Sequence, residues 1–278
     1  MPDIRYQPKD RIEPDSTYLQ VVGENVTSQA GEDGIIRRIF SIMGTSSKWC
    51  VEFGAWVGKH MSNTWNLIIN KQWHGALIES HPDRFKVLCR THAVHDRAVL
   101  LNRYIDLSGD NTLDAVLAET PVPSDLDFLS IDVDGLDWHI WQSLVQYRPR
   151  LVVIEFNHAI PNDIYYVQDP DPEVQQGSSL RAMIALGKEK GYELVATTPL
   201  NAFFVTSELF DKFEIADNDI DAMHTAGKYE SKVFQLYDVT MVLTGCKRLL
   251  WANIPIEQED IQVLPPEERR FNEKGSKR

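Results

Sequence analysis

Three acidic residues stand at or near the ends of apolar runs that have the length of β-strands. Glu52 is the next-to-last residue of one run, and Glu79 and Asp132 close two others. In an open parallel sheet, ligands bind outside the carboxyl ends of the strands. We therefore expect the three carboxylates to face one crevice, where they could attract a cation or accept hydrogen bonds from hydroxyl groups.

A glycine-punctuated segment, Gly54-Ala55-Trp56-Val57-Gly58, follows Glu52 directly. A strand that leads into such a loop presents backbone N–H groups to a nucleotide-like ligand. A carboxylate beneath the loop would repel a pyrophosphate but attract a positive charge. The segment therefore favours S-adenosylmethionine, which carries an ammonium group and a cationic sulfur. Glu79 would accept the ribose hydroxyls, and Ser62 and Ser80 complete the predicted cofactor-binding set with Asp132.

Two other interpretations of this segment stay open. An acid at the end of the second strand also suits a nicotinamide-dependent oxidoreductase, although that fold favours Gly-x-Gly-x-x-Gly and this loop has only two glycines. The chain could also keep a methyltransferase fold without catalysis and serve as a binding module. Binding of S-adenosylhomocysteine or of NAD(H) separates these hypotheses.

A second group of polar residues follows the fourth and fifth predicted strands. Asp132, Glu155 and Asn157 would offer three hard oxygen donors, which suit Mg²⁺ or another divalent cation. Such a metal would lower the pKa of an acceptor hydroxyl, and Asp134 or His158 is then the candidate general base. The alternative is that these acids cap helices or pair with arginines.

The apolar periodicity predicts strands that alternate with helices. Strands are predicted at 48–53, 75–79, 98–101, 126–132, 150–156, 192–197 and 202–205. Because the last two form a pair with one antiparallel member, we expect an α/β, Rossmann-like class I methyltransferase fold. Its sheet would have seven mostly parallel strands with one antiparallel strand, and helices would cover both faces.

The segment 157–178 is too long for an ordinary connection and is rich in Pro, Asp, Gln and Tyr. We expect it to cover the acceptor with Tyr165, Tyr166 and Gln168, since aromatic rings pack well on sugar rings. The predicted organisation is an N-terminal arm at 1–25, the S-adenosylmethionine-binding domain at 26–206, a C-terminal extension at 207–264 that acts as a lid or dimer surface, and a disordered tail at 265–278.

Composition narrows the class of protein. The chain has 278 residues, 43% hydrophobic and 25% charged, which is ordinary for a globular protein. A net charge of −13 argues against a nucleic-acid partner and against anionic membranes. The three cysteines show no metal-ligand spacing, and no apolar run approaches membrane-spanning length. We expect a cytoplasmic protein without membrane insertion, whose partner is a small-molecule or oligosaccharide acceptor and which could form a homodimer.

The sequence resembles FkbM-type S-adenosylmethionine-dependent methyltransferases between residues 28 and 205. The segments that carry the resemblance are Ser28-Gln29, Gly31-Glu32-Asp33-Gly34, Val51-Glu52-Phe53-Gly54, Leu113-Asp114 and Asp132-Val133-Asp134-Gly135. The resemblance implies O-methylation, often of sugars, and it implies that Gln29 and Asp33 approach the acceptor.

The segments 131–134 and 155–157 are also similar to metal-dependent O-methyltransferases of catechols and macrolide sugars. Those families have an Asp followed directly by Asn or Asp after strand five, whereas here Glu155 replaces the Asp and Phe156 separates it from Asn157. This departure weakens the argument for Asn157 as a metal ligand more than the argument for Asp132.

Overall fold

The computed structural model describes residues 16–94, 96–225, 229–250 and 252–271. The predictions made for residues 1–15 of the N-terminal arm and 272–278 of the tail fall outside these ranges. Within the rest of the predicted arm, a short helix buries Leu19 completely.

The chain divides into two units. The larger unit comprises residues 12–158 and 162–224, and the smaller comprises 1–11, 159–161 and 225–278. Residues 207–224, which the sequence analysis grouped with a C-terminal extension, thus belong to the unit that contains the sheet.

The larger unit alternates helices and strands along most of its length. In chain order they are α1 (Tyr18–Val21), α2 (Glu32–Met43), β1 (Trp49–Phe53), α3 (Trp65–Ile69), β2 (His74–Ile78), α4 (Pro82–Thr91), β3 (Ala98–Leu101), α5 (Leu113–Ala118), β4 (Phe128–Ile131), α6 (Asp137–Ser143), β5 (Leu151–Glu155), α7 (Leu180–Glu189), β6 (Tyr192–Thr197), β7 (Asn201–Thr206), α8 (Ser207–Phe210) and α9 (Ile220–Met223). Short 3-10 turns lie at Gly109–Asn111 and Asp211–Phe213.

These seven strands form one sheet in the order β3-β2-β1-β4-β5-β7-β6. Neighbours among β1 to β5 are parallel, and β7 is antiparallel to both β5 and β6. The predicted fold is confirmed, because this is the seven-stranded, mostly parallel sheet of the Rossmann-like class I methyltransferase fold.

The central strands are covered on both faces. Val51 in β1, Leu129 in β4 and Val153 in β5 are fully buried, as are Cys50, Phe128 and Ile154 beside them in the same strands. Continuous apolar runs of this kind are typical of parallel strands between two helical layers. The polar residues that end these strands therefore stand out against an apolar sheet.

A buried ion pair fixes the amino ends of the central strands. The Asp127 carboxylate, just before β4, accepts hydrogen bonds from Ser46 N and Lys48 N, which lead into β1. Arg150, just before β5, donates to the same carboxylate from Nη1 at 2.6 Å. The starts of β1, β4 and β5 are thus tied together at the edge of the sheet opposite the strand ends that carry the acids.

The smaller unit contains two antiparallel strand pairs. They are β8 (Ser231–Gln235) with β9 (Met241–Gly245) and β10 (Arg248–Leu249) with β11 (Ile254–Pro255). The Gln262 side chain accepts a hydrogen bond from Met241 N and donates one to Met241 O, at the start of β9. Among the described residues, no helix has the length and hydropathy needed to cross a membrane. The roles predicted for the C-terminal extension stay predictions.

Candidate functional site

A cavity of about 640 Å³ lies at the carboxyl edge of the sheet. Its lining follows the strand order: Tyr104 follows β3, Glu79 follows β2, Glu52 belongs to β1, Asp132 follows β4 and Glu155 ends β5. The structure therefore brings together the acids that the sequence analysis assigned to a single crevice.

Glu52 lies in β1 just before the glycine loop, where it is buried and accepts three hydrogen bonds. Its Oε2 accepts from Ser62 Oγ at 2.6 Å and Thr64 Oγ1 at 2.7 Å, and its Oε1 accepts from Asn63 N at 2.7 Å. Burial raises the pKa of Glu52, while these hydrogen bonds act in the opposite direction. Glu52 therefore fixes residues 62–64, and Ser62 also accepts from Trp65 N at the start of α3.

The two glycines of the loop have different roles. Gly54 has φ 80°, and a Cβ there would lie 1.8 Å from the Asp132 carbonyl oxygen, so only glycine allows this approach of β1 to β4. Gly58, which the sequence analysis placed at the cofactor, is not among the cavity residues. A Cβ at Gly58 would lie 2.3 Å from Leu88 Cδ1, because the loop packs on α4 there.

Glu79 and Ser80 line the cavity at the end of β2. Glu79 is buried, and its Oε1 accepts from His81 N at 2.7 Å, which orients the carboxylate at the start of α4. Asn102 Nδ2 donates to the backbone carbonyls of both residues. The ends of β2 and β3 are thereby joined on this side of the cavity.

Oxygen atoms of Asp132, Asp134 and Glu155 all lie within 4.8 Å of one another. Burial, followed by the neighbouring carboxylates, raises the pKa of Glu155 to about 9. The same causes, burial first, raise the pKa of Asp132 to about 7. Three hard oxygen donors at this spacing fit a divalent cation, and without one their mutual repulsion favours the protonated forms of Asp132 and Glu155.

Asp137 holds the turn that carries two of these acids. Its Oδ1 accepts from Val133 N and its Oδ2 from Gly135 N, both at 2.9 Å. Asp134, between those two amides, has φ 56° in the left-handed region. Although burial raises the pKa of Asp137 to about 6, its two hydrogen bonds favour the charged form. Sequence reasoning gave Asp137 no role.

Asn157, predicted as the third metal ligand, does not line the cavity. Strand β5 ends at Glu155, and beyond it Asn157 Nδ2 donates to Gln176 O at 2.7 Å while its N donates to Ser178 O. Asn157 therefore joins the two ends of the long loop, and Asp134 takes the third place in the oxygen cluster.

The long loop borders the cavity with residues other than those predicted. Tyr165, Tyr166 and Gln168 are absent from the lining, which contains Pro172, Val174 and Gln175 instead. Gln168 is 1% exposed, and its Oε1 accepts from Gln176 N and Gly177 N. Its side chain shapes the loop from inside, which the composition of the segment could not indicate.

Of the two residues predicted to approach the acceptor from the N-terminal side, Gln29 and Asp33, only one reaches the cavity. Gln29 lines the cavity. Asp33 does not, since its Oδ2 accepts from the amides of Val26, Thr27 and Ser28 at 2.8 to 2.9 Å. Asp33 thus holds the turn before α2 that presents Gln29.

His158, a candidate base, is also outside the cavity lining. It is half-buried, and burial lowers its pKa. Burial and, to a smaller extent, the charge of nearby His158 lower the pKa of His224 to about 4. The structure places Asp134, the other candidate base, on the cavity and exposed to solvent.

Several cavity residues were missed by sequence reasoning. They are Trp56, His60, Met61, Arg84, Tyr104 and Leu200. Trp56 was quoted only as part of the glycine loop. A side chain as large as that of Trp56 is unusual between two loop glycines, and this signal could have identified it.

The comparisons with known proteins found similar structures only. No family model matches the sequence, and no curated protein matches it. The N-terminal domain of EvdMO1 in the presence of SAH and D-fucose is 14% identical, with 63% of this chain and 82% of that chain covered and a TM-score of 0.43. A SAM-dependent methyltransferase from Aquifex aeolicus is 10% identical, with 69% and 97% covered and a TM-score of 0.41. A glycopeptide N-methyltransferase, MtfA, complexed with sinefungin is 12% identical, with 68% and 95% covered and a TM-score of 0.39. Because these identities are so low, the function of this chain has to be inferred from its own residues.

Replacement of Glu155 by Gln is expected to remove a pH-dependent loss of stability. Since the folded-state pKa of about 9 lies above the ordinary value of 4.5, the folded protein binds a proton that the unfolded chain releases between these pH values. The stability of the wild type therefore falls as pH rises through this window. With a chelator present, Glu155→Gln should match the wild type in Tm at pH 4 and exceed it at pH 9, by roughly 2–4 °C for each kcal/mol recovered.

The exposed Glu189→Gln variant, on α7, is the matched control and should follow the wild type at every pH. Parallel Tm curves for Glu155→Gln and the wild type would show that Glu155 carries no extra proton.

Proposed function

We propose that the chain is an S-adenosylmethionine-dependent O-methyltransferase that transfers a methyl group to a hydroxyl of a sugar or glycosylated metabolite, assisted by a divalent cation. The observation that carries the proposal is the order of groups in one cavity. A glycine loop and the Glu79 carboxylate lie over β1 and β2, and an oxygen cluster lies over β4 and β5. The first set suits a nucleoside with an amino-acid tail, and the second suits an acceptor.

The cofactor half rests on Glu79 and on the segment that Glu52 holds. A carboxylate at the end of β2 can accept two hydrogen bonds from a ribose diol. Gly54 lets the end of β1 approach β4 closely, and a glycine loop of this kind suits the methionine carboxylate. Because Glu52 already accepts three hydrogen bonds, its first role is to shape the loop; its negative charge also suits the methionine ammonium.

The acceptor half rests on Asp132, Asp134 and Glu155, which would hold the cation. When bound, such a cation lowers the pKa of a coordinated hydroxyl. It would also displace the protons that the raised pKa values of Asp132 and Glu155 imply. The cavity wall at Pro172, Val174 and Gln175 would then border the acceptor.

For methyl transfer the protein has to position the donor and the acceptor and to accept one proton. Asp134, through the carboxylate oxygen that would not hold the cation, accepts the proton of the acceptor hydroxyl as the hydroxyl oxygen forms the new bond to the methyl carbon. The bond between that carbon and sulfur breaks, its electron pair stays on sulfur, and S-adenosylhomocysteine leaves. Asp137 keeps Asp134 at the cavity through its hydrogen bonds to the flanking amides.

Calorimetric titration is expected to show binding of S-adenosylhomocysteine and none of NADH. Glu79→Ala should weaken S-adenosylhomocysteine binding by about 10- to 100-fold, because two hydrogen bonds to a charged group are lost. Glu189→Ala, an exposed glutamate on α7, should bind like the wild type. Binding of NADH alone would favour the oxidoreductase, and binding of neither ligand would favour the non-catalytic module.

A divalent cation is expected to bind through Asp134. Titration of Mn²⁺ in the presence of S-adenosylhomocysteine should give a site that Asp134→Asn weakens roughly tenfold or more, since a charged oxygen ligand is lost. Asp125→Asn, at an exposed position before β4, is the control. Methyl transfer should stop in chelator and return with Mg²⁺. If Mn²⁺ binds the wild type and Asp134→Asn equally, the cluster has no ligand role.

A further inference from the structure

Trp56 occupies a backbone position that normally belongs to glycine. Gly58 N donates to Ala55 O at 2.8 Å, which closes a four-residue turn, and Trp56 is the second residue of that turn with φ 46°. Turns with a positive φ at this position usually contain Gly, Asn or Asp. A bulky residue in the left-handed region is an outlier, and such strain is concentrated at ligand clamps and active sites.

The side chain of Trp56 is not used to build the core. Its indole lines the cavity and keeps 37% of its surface exposed. The guanidinium carbon of Arg84 lies 5.8 Å from the centroid of the indole, and the His60 ring lies 5.2 Å from it. Arg84 and His60 also line the cavity and are themselves exposed. The strained residue therefore presents an aromatic surface to the cavity, with a cation beside it.

The strand order places this surface in the cofactor half. Trp56 follows β1, and Arg84 lies on α4, five residues after Glu79. Tyr104, which follows β3, lines the same part of the cavity. The oxygen cluster lies on the other side of β1, at the ends of β4 and β5. A ligand whose ribose reaches Glu79 would therefore have its nucleoside between the sheet edge and the indole.

We propose that Trp56 and Arg84 form a cap over the nucleoside of the bound cofactor, in which the indole packs on the ligand and the neighbouring Arg84 holds the indole in place. The proposal rests on the proposed function, because it takes an adenine nucleoside as the ligand. Stacking of a base on an aromatic side chain corresponds to about 5- to 150-fold in affinity. Glycine would suit the backbone of the turn better than Trp56 does, but it would leave the nucleoside uncovered.

The Trp56→Gly variant separates the contribution of the indole ring to ligand binding from its effect on the stability of the fold. Since glycine adopts a positive φ without strain, the variant should have a Tm equal to or above that of the wild type. It should bind S-adenosylhomocysteine and adenosine each roughly tenfold more weakly in calorimetric titrations, whereas Trp56→Phe should retain most of the affinity. Arg84→Met should weaken both ligands by about 2- to 5-fold through loss of the cation. Arg90→Met, on an exposed part of the same helix, should have no effect.

Each outcome decides between the two proposals. If the wild type binds S-adenosylhomocysteine and Trp56→Gly binds it equally well, the cap is wrong and the proposed function stands. If Trp56→Gly loses affinity for S-adenosylhomocysteine but keeps its affinity for adenosine, the ring contacts another part of the ligand and the nucleoside cap is also wrong. If the wild type binds neither ligand, the proposed function fails and the cap fails with it.

Discussion

Repulsion between carboxylates is the constraint on which the rest of the site depends. Parallel strands end at one edge of a sheet, so Glu52, Asp132 and Glu155 at neighbouring strand ends must share one cavity. Like charges in a partly dry cavity repel strongly. Each carboxylate therefore needs donors, a proton or a cation.

The structure meets this need in two ways. Glu52 and Asp137 are satisfied inside the protein, by the segment 62–64 and by the amides of Val133 and Gly135. They shape the loops that border the cavity. The pKa values of Asp132 and Glu155 rise further than that of Asp137, to about 7 and about 9, because burial and neighbouring carboxylates act on them without opposing hydrogen bonds. The carboxylates with internal donors build the site, and Asp132 and Glu155 are the ones on which a cation would act.

Features that depend on strand periodicity could be predicted from the sequence. The apolar runs gave the seven-stranded sheet, and the acids at their ends led to the cavity. Features that depend on loop geometry could not. Asn157 follows β5 by two residues, but the chain leaves the strand at Glu155 and its side chain bonds the loop at Gln176. Asp33 and Gln168 are likewise polar residues whose partners are backbone amides of their own loops. Neither composition nor spacing distinguishes such a residue from a ligand contact.

The central claim is that one cavity holds the methyl donor over β1 and β2 and the acceptor over β4 and β5. A crystal structure of the protein with S-adenosylhomocysteine tests it most directly, through the distances from the ligand to the two sets of carboxylates. We expect the ribose hydroxyls to lie within hydrogen-bond distance of Glu79 and the sulfur to face the side of the cavity that contains Asp134. A ligand in the reverse orientation, with its adenine towards Glu155, or a ligand bound outside the cavity, would contradict the claim.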